Sequence, residues 1–311
     1  PATARNPSCS SGTGVEDMTP KPKAPSHAHR RNPREETAPS PPAVALTIAG
    51  SDPSGGAGLQ ADLKTFQVQG VYGMSVLTVA TDCETASGVE EVHALPPSFV
   101  IRQLRRVMAD IPPDAVKTGM LYSAAIIRRV AAHLRSDPPS WLVVDPVMTT
   151  RSGDALLPEA AEAALRSRLI PIADVVTPSL PEAERLLGQP VDTRADVEAA
   201  ARALTANGPA AAVITGGHRD GPAADCAAVN GTVIWLEAAR REVCMHGAGD
   251  TFSAALASRL ALGASLEAAI RDAKDVVTAA IRTASDLGSG TTPPGHAHLA
   301  GSNPGRPRPA V

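Results

Sequence analysis

The chain has 311 residues, 43% hydrophobic and 20% charged, enough apolar material for one large α/β domain or two small ones. A net charge of -3 and an aromatic content of 2% remove the electrostatic and base-stacking grounds for a nucleic-acid partner. No apolar run reaches the roughly 20 residues of a membrane span, and Cys9, Cys83, Cys226 and Cys244 form no CxxC pair, so no membrane, zinc-finger or disulfide scaffold is expected and the cytoplasm is the expected compartment.

Residues 1–42 are rich in Pro, Ser, Thr, Arg and Lys and lack an apolar period. Such a segment cannot bury enough surface to offset its ordering entropy, so a disordered tail is predicted, with no apolar h-region to suggest a signal peptide. Residues 43–287 alternate apolar runs with amphipathic stretches. The pattern predicts a strand over 44–50 and a helix over 59–68. A second strand follows over 74–80, then a helix over 99–108 and a short strand over 115–118. A helix over 124–134, a strand over 141–145 and a helix over 158–169 come next. Strand 175–177, helix 195–206 and strand 211–215 lead to a hairpin of 227–230 and 233–236 around Gly231. Helices over 249–262 and 265–284 close the domain, and residues 288–311 read as a frayed Gly/Pro-rich tail. Strand–helix alternation of this kind predicts a mostly parallel sheet with helices on both faces, and ligands at the carboxyl ends of its strands.

Five segments at those strand ends carry candidate chemistry. Gly50-Ser51-Asp52-Pro53-Ser54-Gly55-Gly56-Ala57-Gly58 is a glycine-rich strand-to-helix loop. It lets backbone approach a ligand, although a tight turn would read the same way, and it has neither the P-loop ending nor the dinucleotide spacing. His246-Gly247-Ala248-Gly249-Asp250 opens a long Ala-rich helix. Its first N–H groups and dipole form an anion site, and Asp250 either faces the reacting group or only caps the helix. Asp145-Pro146-Val147-Met148 places a carboxylate where it can organise magnesium through water, or simply forms a turn. Glu182, in Thr177-Pro178-Ser179-Leu180-Pro181-Glu182, falls in a first helical turn, where the dipole favours it regardless of role. Thr215-Gly216-Gly217-His218 follows a strand and could line a nucleotide pocket.

In this order the segments resemble the ribokinase superfamily, and specifically its hydroxymethylpyrimidine/phosphomethylpyrimidine kinase branch. The resemblance rests on ALTIAGSDPSGGAGLQADLKTFQVQGVYG (45–73), VVDPVM (143–148), SGDALL (152–157), TPSLPEAE (177–184), GGH (216–218) and HGAGDTFSAALA (246–257). It implies a ribokinase-like α/β fold and an ATP- and magnesium-dependent kinase. The acceptor would be the hydroxymethyl group of hydroxymethylpyrimidine, or its monophosphate, in thiamine synthesis. A homodimer is implied as well. By the same resemblance Gly50, Asp62, Cys83, Met120 and Val147 meet the substrate ring. Gly247, Ala248 and Gly249 form the anion hole, and Asp250 is the catalytic base. Asp145 and Glu182 sit near magnesium and the phosphates, and Thr215 and Gly217 lie in the ATP site. The chain departs from the branch at several of these positions. Asp250 replaces the usual Cys, Cys83 the ring-binding Gln, Thr215 a Lys, Ser179 an Asn and Arg151 a Lys. A pyridoxine/pyridoxal kinase and a non-catalytic ligand-binding relative are the alternative readings.

Overall fold

The computed structural model describes residues 41–86, 88–149, 156–216, 222–241, 243 and 245–301. Residues 1–40 of the predicted 1–42 tail, the Ser-Gly-Asp segment after Arg151, Gly217 and His218 lie outside the described residues. A compact unit begins at Pro41.

Its centre is a nine-stranded sheet in the order β3-β2-β1-β4-β5-β6-β7-β8-β9. Strands β1 (Val44–Ser51), β2 (Tyr72–Thr81), β4 (Ala115–Thr118), β5 (Trp141–Val144), β6 (Val175–Val176) and β7 (Ala211–Ile214) run parallel. The antiparallel members are β3 (Val92–Ala94), β8 (Ala223–Val229) and β9 (Thr232–Ala238). The predicted hairpin is thus present but longer than its apolar pattern suggests. Asn230 (φ 47°) and Gly231 (φ 82°) form its two-residue turn, a left-handed pair that matches the strand twist. Strand β3 has no sequence signature because it is three residues long, at the sheet edge and partly exposed.

Side chains alternate across the parallel strands, so each strand feeds two cores. Leu46, Ile48, Val116, Val144 and Ile214 pack toward α2 (Pro97–Asp110), α3 (Ala124–Ser136), α5 (Leu180–Leu187) and α6 (Arg194–Thr205). Ala45, Ala115, Val143, Val175 and Val213 pack toward α1 (Gly58–Val68), α7 (Ala248–Ala261) and α8 (Leu266–Arg282). The helix expected over 158–169 is α-helical only as α4 (Glu159–Ala164) and continues as a π turn over Leu165–Leu169.

The segment beyond Gly288 departs from the expected frayed tail as far as it is described. Met245 bridges to Thr292, and the His296 ring nitrogen lies 2.9 Å from the Thr251 hydroxyl on α7. Leu299 is buried, which is what anchors an otherwise Gly/Pro-rich stretch.

The chain crosses from β1 to β2 on one side and later returns to β4 on the other, so β1 and β4 flank the switch point of the sheet. In open α/β sheets the crevice at that point, outside the carboxyl ends, is where ligands bind.

Candidate active site

Four loops meet at that crevice: the Gly50–Gly58 turn after β1, Gly119-Met120 after β4, Asp145 after β5, and the start of α7. At their centre is Lys117, the third residue of the fully buried β4 (Ala-Val-Lys-Thr) and itself completely buried. Its Nζ donates to both oxygens of Asp62 (2.8 and 2.9 Å) and to Asp250 Oδ1 (2.9 Å). The second Asp250 oxygen accepts the Gly58 N–H at 3.1 Å. Asp250 is therefore held through both oxygens by groups outside its own helix. The N-cap of α7 is Gly247, with no side-chain cap bond, so the capping reading of Asp250 finds no support in the geometry.

Asp62 was expected against the substrate ring; in the structure its carboxylate is engaged by Lys117 and Thr47. It is fully buried beneath Lys117 and also accepts the Thr47 hydroxyl. Both of its oxygens accept from Lys117, so in this arrangement it fixes the lysine. Lys117 itself was not singled out as a site residue. Its signal was a charge inside a short strand that opens on Ala115-Val116.

The carboxylates around this lysine have diverging acidities. Burial pushes Asp250 up, but the Lys117 charge, its hydrogen bond and the Gly58 N–H outweigh it and hold the carboxyl below its ordinary range. Burial raises Asp62 to about 6, with Lys117 opposing and Asp250 adding to the rise. Asp145 is raised well above the usual range by burial, against Lys117, with Asp250 and Glu182 adding to it. Glu182 is raised, chiefly by burial. The buried Lys117 cation on β4 is thus the main group that keeps Asp250 ionised and weakly basic, against the effect of burial.

Asp145 accepts the Ser253 hydroxyl of α7 at 2.8 Å. Glu182 closes a capping box on Ser179 and accepts the Met148 N–H at 3.1 Å, which ties α5 to the turn after β5. Thr118 and Thr177, at the ends of the strands flanking Asp145, carry buried hydroxyls with no hydrogen-bond partner among the described residues. A crowded set of oxygen donors with unsatisfied hydroxyls and one cation suits a hydrated hard divalent cation such as magnesium.

The anion site at α7 is built on Gly247. Its φ is +85°, and a Cβ there would lie 1.9 Å from the Gly56 carbonyl, so only glycine lets the two loops touch. Gly249 is exposed in the first turn of α7, where the N–H groups of Ala248 and Gly249 have no intrahelical partners. Of the expected ring contacts, Gly50 and Met120 come together: a Cβ on Gly50 would lie 2.9 Å from Val79 Cγ2 and 3.6 Å from Met120 Sδ. Val147 is half-buried in the turn after β5, one strand away. Cys83 is buried, with its Sγ 3.7 Å from His246 Nε2. Thr215 pairs with Ser179, bringing its loop beside Glu182. The following Gly216 donates to Asp225, which Lys274 of α8 holds at 2.8 Å. This buried pair was not legible in the sequence, because its members lie far apart in the chain.

Comparison with known proteins gives the family. The family described as phosphomethylpyrimidine kinase matches residues 52–295. The chain belongs to that family. It is 45% identical over 265 residues to the hydroxymethylpyrimidine/phosphomethylpyrimidine kinase of Streptomyces coelicolor, covering 84% of this chain and 97% of that one. Among solved structures, an ADP complex of Bacillus subtilis pyridoxal kinase superimposes with a TM-score of 0.78 at 40% identity, covering 83% and 99%. The phosphomethylpyrimidine kinase of Clostridium difficile gives 0.70 at 40% identity, covering 77% and 99%. No described helix is long and apolar enough to cross a membrane.

Proposed function

We infer that this member of the family transfers the γ-phosphoryl group of ATP to hydroxymethylpyrimidine and then to its monophosphate, in thiamine biosynthesis. The observation that carries the reading is Asp250, ionised at neutral pH and clamped between Lys117 and Gly58 at the mouth of the α7 anion site. The acceptor alcohol attacks the γ-phosphorus in line. Its proton passes to Asp250, and the bond to the bridging oxygen breaks with the electron pair leaving on ADP. The Ala248 and Gly249 N–H groups face the charge on the transferring group, and they require no reorganisation because the helix already orients them. A base of low pKa suffices, since the proton can move late in a loose transition state.

Asp145 and Glu182 would hold magnesium through water, with Thr118 and Thr177 within the same pocket. When bound, the ion screens the negative charge of the triphosphate. Gly50, Met120, Val147 and Cys83 would line the ring pocket, and Thr215 the nucleotide side. Lys117 and Asp62 act through Asp250 as positioning residues. A homodimer remains part of the proposal, to be read by light scattering.

The test is ADP release from the purified chain with ATP, magnesium and a panel of pyrimidine and pyridine alcohols. Turnover with hydroxymethylpyrimidine and its monophosphate is expected to exceed turnover with pyridoxal and pyridoxine. A preference for the pyridine alcohols would overturn the substrate assignment, and no turnover with any of them would overturn the kinase reading.

A further inference from the structure

Asp52, Cys83 and His246 come from three segments distant in sequence: the loop after β1, the loop after β2 and the loop before α7. One oxygen of Asp52, the Cys83 sulfur and one His246 nitrogen all lie within 4.8 Å of one another. The contacts converge on a single atom. His246 Nε2 is 3.0 Å from Asp52 Oδ2 and 3.7 Å from Cys83 Sγ. One ring N–H cannot point well at both, so the trio is not a relay in which each nitrogen serves one neighbour. It has the shape of a donor set gathered around a common centre.

We propose that Asp52, Cys83 and His246 form a binding site for a borderline-soft divalent cation of the zinc class. Sulfur, imidazole nitrogen and carboxylate oxygen together select zinc over magnesium or calcium, which take oxygen donors. Around tetrahedral zinc, with bonds of about 2.0–2.3 Å, neighbouring ligand atoms lie about 3.3–3.6 Å apart. Two of the three separations, 3.0 and 3.7 Å, lie close to that range, and the Asp52 and Cys83 atoms are within 4.8 Å of each other. The ligands are held from behind. Asp52 Oδ1 accepts the Ser54 N–H, Oδ2 accepts the Gly56 and Ala57 N–H groups beside its contact to His246, and the His246 backbone N–H donates to the Thr292 carbonyl at 3.1 Å. Asp52 and Cys83 are buried, whereas the His246 side chain is 28% exposed, which leaves a route in and a fourth position for water. Zinc takes the thiolate and the free ring nitrogen, and the protons they carried go to bulk water.

The sequence showed no zinc spacing because the three ligands share no local motif. If Cys83 also lines the ring pocket, as the proposed function holds, bound zinc competes with the pyrimidine. The metal site itself does not depend on that reading.

The experiment is a cobalt(II) titration of the metal-free full chain, followed by displacement with zinc against a chromophoric chelator. One equivalent is expected, with a thiolate-to-cobalt charge-transfer band. Cys83→Ser should abolish that band, and His246→Gln should weaken zinc affinity at least about tenfold. Cys226→Ser and Cys244→Ser should leave both signals unchanged, and circular dichroism confirms that each variant is folded. A band that persists in Cys83→Ser, or no stoichiometric binding to the folded wild type, overturns the proposal. Zinc bound at Cys83 without any rise in the KM for hydroxymethylpyrimidine would keep the metal site and remove Cys83 from the ring pocket.

Discussion

Replacing Asp250 by Asn separates a base from an electrostatic anchor, because the two proposed acceptors differ in what they ask of it. Hydroxymethylpyrimidine presents an alcohol whose proton must leave. Its monophosphate presents an oxygen already ionised near neutrality, since the second phosphate pKa is about 6. Asn keeps an oxygen that can accept from Lys117 or Gly58, now 2.9 and 3.1 Å from the carboxylate. Lys117 also keeps Asp62 at 2.8 Å. The stability lost is thus one charge-assisted bond, about 1.5–3 kcal/mol at most, and relief of a crowded carboxylate set offsets part of it. The rate effect is larger: general-base catalysis is worth about 10²–10⁴-fold, or about 2.7–5.4 kcal/mol of barrier. Single-turnover assays on each acceptor, with chemistry shown to limit, should find the first phosphorylation slowed at least about 10²-fold and the second much less. ATP affinity by calorimetry should be nearly unchanged. Equal slowing of both steps would show that the Asp250 charge acts on the phosphates and not on the alcohol. A near-normal first step would remove it from the chemistry altogether.

Lys117→Met leaves Asp62 and Asp250 facing each other without their cation and should cost about 3–5 kcal/mol in urea unfolding. The double variant with Asp62→Asn should recover much of that, and no recovery would mean that packing rather than charge sets the cost. Gly247→Ala places a methyl group against the Gly56 carbonyl at a left-handed φ, and should reduce kcat and weaken ATP binding together; a variant with normal kinetics would refute the anion-site geometry. His246 is raised from 6.5 to about 10, chiefly by its hydrogen bond to Asp52. A raised pKa stabilises the fold fully below the unfolded value, and the contribution fades as pH climbs through the folded one. In the metal-free chain, the melting-temperature gap between wild type and His246→Gln should therefore narrow between pH 6.5 and 10, and a gap constant with pH would show that the ring is neutral in the fold.

The sequence by itself determined the α/β class, nearly every strand and helix of the sheet, and the family. Those follow from local periodicity and from short motifs such as the loop from Gly50 and the stretch from His246, whose information lies within a few neighbouring residues. It also placed Asp145, Glu182 and Asp250 at strand and helix ends, because a chain that alternates strand and helix leaves its loops there. What only the tertiary structure decided is how charges from different segments share one buried space. Lys117 lies 55 residues from Asp62 and 133 from Asp250, and no local pattern says that one lysine holds both. Asp62 reads as a polar position on an amphipathic helix until the sheet closes over it. Asp52, Cys83 and His246 likewise meet only because the loops after β1 and β2 fold against the start of α7. Pairing of buried charges depends on through-space distance and desolvation, and neither quantity exists until the chain has packed.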